Sequence, residues 1–394
     1  MRVLIAGGGT GGHLFPGIAI AEAFRDSEIL FVGTGNPMEV STLSKKGFDH
    51  MGIVAEGLKG RGLWRQIRSL FKIPFGVWQA LRVIWRFDPD IIIGLGAYAS
   101  GPVALAARLT GKKIVIHEQN ILPGLTNRIL GRFADRIFIS FPDNLGIFRP
   151  SRTVITGNPV RRELLAHKLS PPPCPPPSSP PWRDRSWTMP RGEKPGLGQG
   201  ERVSEGVTDG KANGQFTVLV LGGSQGAHAV NCAVVETLDR LKKPAEITFI
   251  HQTGTKDAAW VSDAYERRDI KATVEPFFVD MAGPYSSADL VICRAGATTV
   301  SELMALGKPA IFIPFPFAAN NHQELNARYV ADAGGAEVIL EKDLNGAVLA
   351  DRLDHYASHP ESLQDMAKRT LSLARPDAAD VIVEECRRLV VIGH

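Results

Sequence analysis

The residues Val3-Leu4-Ile5-Ala6-Gly7-Gly8-Gly9-Thr10-Gly11-Gly12-His13 form a short apolar run that leads into a glycine-rich turn. A second run of this kind, Val218-Leu219-Val220-Leu221-Gly222-Gly223-Ser224-Gln225-Gly226-Ala227, follows in the second half of the chain. Glycine lets backbone N–H groups approach a phosphate closely, and the positive end of the following helix points at the same place. Two such turns predict two nucleotide-fold domains that face each other across a cleft.

The size and composition of the chain indicate a globular protein of two domains. Its 394 residues exceed what one hydrophobic core usually supports, and 44% of them are hydrophobic while 22% are charged. The net charge of +4 is too small to indicate nucleic-acid binding. The 4 cysteines form no CxxC pair, which argues against a zinc site and a disulfide framework and fits a reducing cytoplasm.

We expect no signal peptide and no membrane span. A strand follows Met1-Arg2 directly, without the apolar stretch and cleavage site of a signal peptide. The longest uncharged run, 91–107, is interrupted by Gly94, Gly96, Gly101 and Pro102. This run therefore predicts a strand, a loop and a helix.

Short β-rich runs alternate with longer segments of helical period in both halves of the chain. The alternation predicts a parallel sheet wrapped by helices in each half, and hence an α/β fold. Ligands of such sheets bind beyond the carboxyl ends of the strands, where both glycine-rich turns lie. The predicted strands are 3–6, 29–32, 91–93, 114–116 and 136–139 in the first half, and 217–221, 248–251, 272–275, 290–293, 310–313 and 336–339 in the second.

The sequence divides into four parts. We expect a Rossmann-like domain over 1–166, a second one over 216–376, and a C-terminal helix in 377–394 that packs back on the first domain. The intervening 167–215 contains three-proline runs and many Gly and Ser residues without apolar period. It cannot bury enough surface to offset its ordering entropy, so we expect a disordered insertion or linker. A partner-docking segment is the alternative, because Trp182 and Trp187 are unusual in a linker.

The first glycine-rich turn matches the GxGxxG pattern of dinucleotide-binding folds through Gly7, Gly9 and Gly12. A dehydrogenase would place an acidic residue at the end of the second strand to bind the ribose. Here that strand ends in Phe31-Val32-Gly33-Thr34-Gly35. The turn therefore indicates a loop that faces a phosphate without binding nicotinamide.

Asp88-Pro89-Asp90 spells the DxD motif with which many sugar transferases bind a metal. It precedes the strand 91–93 and so lies at the sheet edge opposite the ligand crevice, which predicts a turn. Without a metal, helix N-termini and guanidinium groups such as those of Arg161 and Arg294 would have to balance the charge of a departing nucleotide.

Polar loops after consecutive strands converge on one crevice. In the first half these are 94–101 and His117-Glu118-Gln119-Asn120, although each alone is also compatible with a simple turn. In the second half, 293–302 follows a strand and opens a helix whose hydroxyls and N–H groups suit a diphosphate. Glu302 is placed to accept both hydroxyls of a ribose. The alternative is that Ser301 and Glu302 only favour the helix start.

The segment from Lys59 to Arg86 carries seven basic residues and no acidic one, interleaved with apolar and aromatic residues. Basic residues with tryptophan on an amphipathic stretch are typical of a surface that binds anionic lipid. A helix pair whose apolar side is ordinary core is the alternative. The residues predicted to contact the membrane are Trp64, Arg65, Arg68, Phe71, Lys72, Phe75, Trp78 and Trp85.

Five motifs in order resemble the MurG family. They are Gly8-Gly9-Thr10-Gly11-Gly12-His13, His117-Glu118-Gln119-Asn120, Gly157-Asn158-Pro159-Val160-Arg161, Gly222-Gly223-Ser224-Gln225-Gly226-Ala227 and 297–302. The resemblance covers nearly all of 1–166 and 216–392. It implies a GT-B fold and an inverting, metal-independent transfer of N-acetylglucosamine from UDP-GlcNAc to the C4 hydroxyl of undecaprenyl-diphosphate-linked N-acetylmuramyl pentapeptide. It further implies a peripheral position on the cytoplasmic face of the inner membrane, possible contacts with proteins of cell-wall synthesis and division, and no cofactor.

The resemblance also implies the site residues. The donor would contact Thr10, Gly11 and Gly12 in the first loop, Asn120 and Arg161 near the cleft, and Ser224 at the diphosphate. Phe278 falls where the backbone of the family meets the uracil. The remaining expected contacts are Ala297, Thr298, Thr299, Val300, Ser301, Glu302, Gln323 and the sugar-binding Asn326.

An inverting transfer needs a base that takes the proton of the attacking hydroxyl, and the candidates are His13 and Glu118. We favour His13, because imidazole titrates near neutral pH, with Glu118 orienting the acceptor or His13 itself. Two other functions stay open. A glycosyltransferase with a diacylglycerol acceptor would share the donor half, and a membrane-bound sugar-nucleotide sensor would keep Glu302 and Gln323 without needing His13.

Overall fold

Two parallel sheets form the framework of the chain. The computed structural model describes residues 1–8, 11–55, 63–169, 215–223 and 226–392, without the side chains of 63–73, 167–169 and 392. Thr10, Ser224 and the span 170–214 lie outside the described residues, so the predictions that fall on them stay predictions. The side chains of Trp64, Arg65, Arg68, Phe71 and Lys72 also lie outside the described part.

The first described sheet has the strand order β3-β2-β1-β4-β5-β6-β7 and belongs to the N-terminal half. Its strands are β1 Arg2–Ala6, β2 Glu28–Gly33, β3 Asp49–Gly52, β4 Ile91–Gly94, β5 Lys113–Glu118, β6 Arg136–Ile139 and β7 Thr153–Ile155. The helices of this half are α1 Gly11–Ala23, α2 Pro37–Lys45, α3 Leu63–Phe87, α4 Ser100–Leu109, α5 Leu125–Leu130 and α6 Arg162–Leu169.

The second described sheet has the order β10-β9-β8-β11-β12-β13. Its strands are β8 Phe216–Leu221, β9 Ile247–Gln252, β10 Ala272–Glu275, β11 Leu290–Cys293, β12 Ala310–Phe312 and β13 Ala336–Val338. The helices are α7 His228–Leu238, α8 Ala258–Glu266, α9 Ala282–Ser287, α10 Ala297–Leu306, α11 His322–Asp332, α12 Gly346–Ser358, α13 Pro360–Ser372 and α14 Ala378–Ile392.

Each glycine-rich turn follows the strand at which the order of its sheet reverses. β1 lies between β2 and β4, and β8 lies between β9 and β11, with parallel pairing on both sides. The fully buried residues of both strands, such as Leu4 and Val220, explain why these apolar runs occupy the sheet centres. In open α/β sheets, ligands bind in the crevice that opens at such a reversal.

The sequence reading missed two strands of the first sheet, β3 and β7. β7 is an edge strand of three residues, and none of its residues is buried. β3, at the other edge, reads Asp49-His50-Met51-Gly52 and is mostly exposed. Edge strands whose side chains are largely exposed to solvent need no run of apolar residues. The apolar pattern that identifies central strands therefore does not predict them.

Helix α14 packs against the N-terminal half although it ends the described chain. Its residues Ile382, Val383 and Cys386 are buried in the same apolar cluster as Val3 and Leu14. An ion pair of 3.3 Å between Arg136 Nε and Glu385 Oε2 adds to this contact. The chain therefore connects the two sheets a second time, after 376.

The described part of the basic segment, from Leu63 on, forms one helix, α3, with Pro74 inside it. Its described inner side contributes Val77, Ala80 and Ile84 to the core of the first sheet. On the outer side, Phe75, Trp78 and Trp85 are exposed by 50%, 45% and 70%. Part of the segment is thus core, and part is an exposed aromatic surface. Among the residues that the structure describes, no helix is long and apolar enough to cross a membrane.

Candidate active site

Polar contacts join the two halves near the ends of their central strands, and three of them place the site. Thr298 Oγ1 at the start of α10 donates a hydrogen bond of 3.1 Å to the carbonyl of Gly12 in α1. Asn326 in α11 donates to Asn120 Oδ1 after β5, at 3.2 Å. The third contact is an ion pair between Arg161 and Glu302. These contacts bring Gly11, Gly12 and His13 next to the start of α10.

The carboxylate of Glu302 is buried and is bound by two side chains. Its Oε1 accepts from Arg161 Nε at 2.9 Å and pairs with Nη2 at 2.8 Å, and its Oε2 accepts from the Tyr285 hydroxyl at 3.0 Å. Burial raises the pKa of Glu302, and the charge of Arg161 opposes that rise. The Arg161 guanidinium also lies over the Phe15 ring, 4.8 Å from its centre. A ribose hydroxyl that reaches Glu302 would meet an acceptor already polarised by a cation.

The first turn of α10 is arranged to receive an anion. Gly296 caps the helix in an extended conformation and makes no side-chain cap hydrogen bond, so no cap side chain covers the N–H groups of the first turn. Thr298 and Thr299 are half-buried there, whereas Ala297, Val300 and Ser301 are buried against the sheet. The Ser301 hydroxyl has no hydrogen-bond partner among the described residues. The helix start therefore combines free N–H donors with hydroxyl groups.

Two glutamine side chains fix the loops at the open end of the second sheet. Gln252 Oε1, at the end of β9, accepts from the backbone N–H of the half-buried Phe278 at 3.0 Å. Gln323 Oε1 accepts from the N–H of Phe315 at 3.0 Å. The amide of Gln323 thereby lies at the rim of the crevice, on the side of α11. Phe278 lies after β10, across the sheet from Gln323.

Asn326 and Asn120 form a polar contact between the halves. Asn326 is fully buried, and its Oδ1 accepts from the N–H of Ile121 at 3.0 Å. Its amide group donates to Asn120 and to the carbonyl of Ala295. In this arrangement the hydrogen-bonding groups of Asn326 hold the two halves together, so a sugar contact by Asn326 would require these bonds to rearrange.

His13 is half-buried and touches Gln119. Its Nδ1 lies 3.0 Å from Gln119 Oε1. Desolvation lowers the pKa of His13, the charge of Glu118 and the bond with Gln119 oppose that effect, and His322 across the cleft lowers the pKa further. The imidazole is therefore mainly neutral at neutral pH, the form that can accept a proton.

Glu118, the other base candidate, is committed to its own loop. Its carboxylate is buried and accepts from the N–H of Asn120 at 3.0 Å, the N–H of Gly124 at 3.1 Å and the Asn127 amide at 2.9 Å. A carboxylate that accepts these three hydrogen bonds stabilises the turn after β5. The side chain that contacts His13 is Gln119.

The DxD motif and Arg294 have partners away from the helix starts. Asp90 accepts from the backbone N–H of Arg2 at 2.7 Å, and Asp88 pairs with Arg2 and Lys112, all at the amino-terminal edge of the sheet. Arg294 pairs with Glu341 and donates to the carbonyls of Ile313 and Pro314. Within the described ranges, no group of three His, Cys, Asp or Glu side chains is placed to hold a metal ion.

The structure thus brings together most of the predicted site residues on both sides of one cleft. Sequence reasoning gave no role to two side chains of the site. Gln119 stood inside a quoted motif, and the spacing alone did not reveal that its side chain turns toward His13. Tyr285 had no signal at all, because a single tyrosine outside every quoted motif is indistinguishable from a core residue.

Two family models match this chain, one in each of the halves that contain the two sheets. The model of the glycosyltransferase family 28 N-terminal domain matches residues 3–139, and that of the C-terminal domain matches residues 217–382. The chain belongs to glycosyltransferase family 28. A relative from Syntrophus aciditrophicus (strain SB) is 42% identical over 395 aligned positions, covering 99% of this chain and 99% of the relative. One from Geobacter sp. (strain M21) is 43% identical and covers 97% of this chain and 95% of the relative.

Both relatives carry the name UDP-N-acetylglucosamine–N-acetylmuramyl-(pentapeptide) pyrophosphoryl-undecaprenol N-acetylglucosamine transferase. Among solved structures, MurG of Acinetobacter baumannii is similar with a TM-score of 0.72 and 28% identity, covering 98% of this chain and 99% of that one. The predicted membership of the MurG group within family 28 is confirmed. UDP-GlcNAc 2-epimerase of Neisseria meningitidis has a TM-score of 0.66 at 12% identity, which is a likeness of fold alone. The predicted GT-B fold class is likewise confirmed.

Proposed function

We propose that this family 28 chain transfers N-acetylglucosamine from UDP-GlcNAc to the C4 hydroxyl of undecaprenyl-diphosphate-linked N-acetylmuramyl pentapeptide. Its near full-length relatives carry the name of this transferase. The observation that carries the proposal in this chain is the juxtaposition of His13 with the start of α10 through the 3.1 Å contact between Gly12 and Thr298. A proton acceptor on one half thereby faces an anion-binding helix start on the other.

The donor binds on the C-terminal side of the cleft. The N–H groups at the start of α10, with Thr298 and Thr299, receive the diphosphate, and the Glu302 carboxylate receives a ribose hydroxyl. The backbone beside Phe278 lies against the uracil, and the amide of Gln323 reads the sugar. Arg161 faces the same carboxylate from the N-terminal half, so donor binding is coupled to closure of the two halves.

His13 is the general base of the transfer. Its neutral imidazole takes the proton of the C4 hydroxyl while the oxygen attacks the anomeric carbon from the face opposite UDP, so the bond to UDP breaks with inversion. The start of α10 and the Arg161 guanidinium stabilise the charge that develops on the leaving diphosphate. We propose that no catalytic metal is needed, because these groups already supply the positive potential.

The membrane contact lies on α3. Phe75, Trp78 and Trp85 stand exposed on its outer side, and the guanidinium of Arg82 lies 3.8 Å above the Trp78 ring. Exposed aromatic rings with basic partners suit the headgroup region of an anionic leaflet. This surface would place the cleft beside the lipid-linked acceptor, on the cytoplasmic face of the membrane.

The test is a turnover assay with UDP-GlcNAc and a short-chain analogue of the lipid-linked muramyl pentapeptide. We expect a β-1,4-linked disaccharide product and free UDP. An acceptor that lacks the C4 hydroxyl serves as the matched control and should give no disaccharide. Transfer to diacylglycerol in place of the muramyl acceptor, or donor binding without any transfer, would contradict the proposal.

A further inference from the structure

The protonation of His13 is set by a chain of buried hydrogen bonds that starts at a backbone carbonyl. His117, in β5, is fully buried, and its Nε2 lies 3.2 Å from the carbonyl oxygen of Gly157. A carbonyl oxygen can only accept, so Nε2 of His117 carries a hydrogen. Burial lowers the pKa of His117 to about 4, so the ring is neutral at neutral pH and its Nδ1 is a bare acceptor.

This acceptor determines the orientation of the Gln119 amide. Gln119 Nε2 lies 3.2 Å from His117 Nδ1 and 3.1 Å from the carbonyl oxygen of Leu95. The reversed amide would place its oxygen against two acceptors, with no hydrogen in either contact. Both amide hydrogens are therefore used, and the oxygen of Gln119 is the atom that faces His13.

The same reasoning determines the tautomer of His13. Gln119 Oε1 can only accept, so the His13 Nδ1 at 3.0 Å carries a hydrogen. In the neutral ring the lone pair is then on Nε2. With Nδ1 committed to Gln119, Nε2 is the ring nitrogen that remains to accept a proton from a substrate hydroxyl.

We propose that Gln119, held by His117, is a positioning residue that fixes His13 as the tautomer with its basic nitrogen toward the acceptor hydroxyl. The proposal rests on the base assignment made for His13 above. A buried partner on the far nitrogen of a catalytic histidine serves this purpose in other active sites, where a wrong tautomer strongly reduces turnover. A neutral amide partner selects the tautomer without adding a charge beside the ring.

Two variants of Gln119 should move the pH profile in opposite directions. Gln119→Met removes the acceptor, so the ring loses a bond that favours its protonated form, and the acid limb of kcat/KM should move to lower pH while kcat falls by about tenfold or more. Gln119→Glu keeps an acceptor and adds a negative charge, so the acid limb should move to higher pH. The other titratable groups that face His13 are Glu118, His117 and His322, and both variants leave them in place.

The tautomer itself is measured by long-range ¹H–¹⁵N correlation spectra of histidine-labelled protein, with His13→Ala used to assign the signal. We expect a bare Nε2 in the wild type and a mixture of tautomers in Gln119→Met. Thr237→Val is the control for loss of a buried hydrogen bond, because Thr237 is fully buried and donates to the carbonyl of Ala233 at 2.7 Å. It should leave both the acid limb and the His13 tautomer unchanged.

The outcomes separate the two claims. If His13→Ala is inactive while both Gln119 variants keep the wild-type acid limb and tautomer, the positioning role is overturned and the base assignment stands. If His13→Ala keeps its kcat, the base assignment is overturned. Donor affinity, measured by titration with UDP, should be unchanged in folded Gln119→Met, because the hydrogen bonds of Gln119 to His13, Leu95 and His117 lie within the N-terminal half.

Discussion

Removal of the Glu302 carboxylate should weaken donor binding strongly, and the structure allows the size of the effect to be worked out. A carboxylate offers about four lone-pair positions. Arg161 occupies two through Nε and Nη2, and the Tyr285 hydroxyl occupies a third. One position remains, so Glu302 can accept one ribose hydroxyl without displacing either partner. The expectation that it holds both hydroxyls would require one partner to move.

A hydrogen bond to a charged acceptor contributes about 1.5 to 3 kcal/mol, so Glu302→Ala should weaken UDP binding by about 10- to 150-fold. The change also leaves the Arg161 guanidinium without its partner in a site where the side chain is only 18% exposed. Breaking a buried pair in this way costs about 3 to 5 kcal/mol of stability. The double variant Glu302→Ala/Arg161→Ala removes both charges and should recover part of that stability, without recovering donor affinity.

The assay is calorimetric titration with UDP of proteins shown to be folded by circular dichroism. Tyr285→Phe is the matched control, because it removes one bond to Glu302 and keeps the carboxylate and Arg161 in place. Its UDP affinity should stay within about fivefold of the wild type, since one neutral donor contributes about 1 kcal/mol or less to the position of the carboxylate. Unchanged UDP affinity in folded Glu302→Ala would refute the placement of the ribose at this residue.

Three further predictions concern the membrane, the connecting segment and pH. Phe75→Ser/Trp85→Ser should reduce binding to anionic vesicles by about 100-fold or more in a sedimentation assay, because each ring loses about 100 Å² of burial in lipid. Leu371→Ser, on the exposed side of α13, is the control and should leave vesicle binding unchanged. Vesicle binding of the double variant equal to that of the wild type would place the membrane contact elsewhere. Replacement of 170–213 by a short Gly/Ser connector should leave turnover within a few-fold, because closure entropy varies slowly with loop length, whereas a hundredfold loss would indicate a specific docking role. Burial lowers the pKa of His117 to about 4 and that of His251 to about 3, so as the pH falls both become protonated in the unfolded chain before they do in the folded protein. Their contribution to stability is therefore complete above about pH 6.5, and by about pH 5 the protonation of each should lower the free energy of unfolding, measured by urea titration, by about 2 kcal/mol. A free energy of unfolding that does not change over this range would contradict the burial of these histidines in neutral form.

The central strands could be predicted because burial on both faces leaves a direct mark on the sequence. In β1 and β8, residues after the first are nearly all buried and apolar, and the adjacent glycines mark the turn that follows. The edge strands β3 and β7 carry no such mark, since their residues are half-buried or exposed. Pairing with one neighbour is enough to form them, and that pairing is a tertiary property.

The site could be predicted at the level of motifs and only partly at the level of contacts. Glu302 was recognised at its helix start, but its partner Arg161 lies 141 positions earlier and meets it only when the two halves dock. Asn326 was expected to contact the sugar, and in the structure its side chain donates a hydrogen bond to Asn120 across the two halves. Side-chain direction decides such contacts, and a single sequence gives the order of residues without that direction.

The same limit applies to the run His117-Glu118-Gln119-Asn120. The sequence predicted a strand over 114–116 with these four residues after it, whereas β5 extends to Glu118, so only Gln119 and Asn120 follow the strand. It gave Glu118 the role of orienting either the acceptor or His13, and it gave Gln119 no role. The structure instead turns Glu118 toward the N–H groups of its own loop and Gln119 toward His13.

The most direct test of the account is the single-turnover rate of His13→Ala with UDP-GlcNAc and the short-chain muramyl acceptor, measured together with its affinity for UDP. The account predicts that the rate of transfer falls by about 100-fold or more while UDP affinity stays at the wild-type value, because His13 acts on the acceptor hydroxyl and the donor binds on the other half. A transfer rate equal to that of the wild type would contradict it.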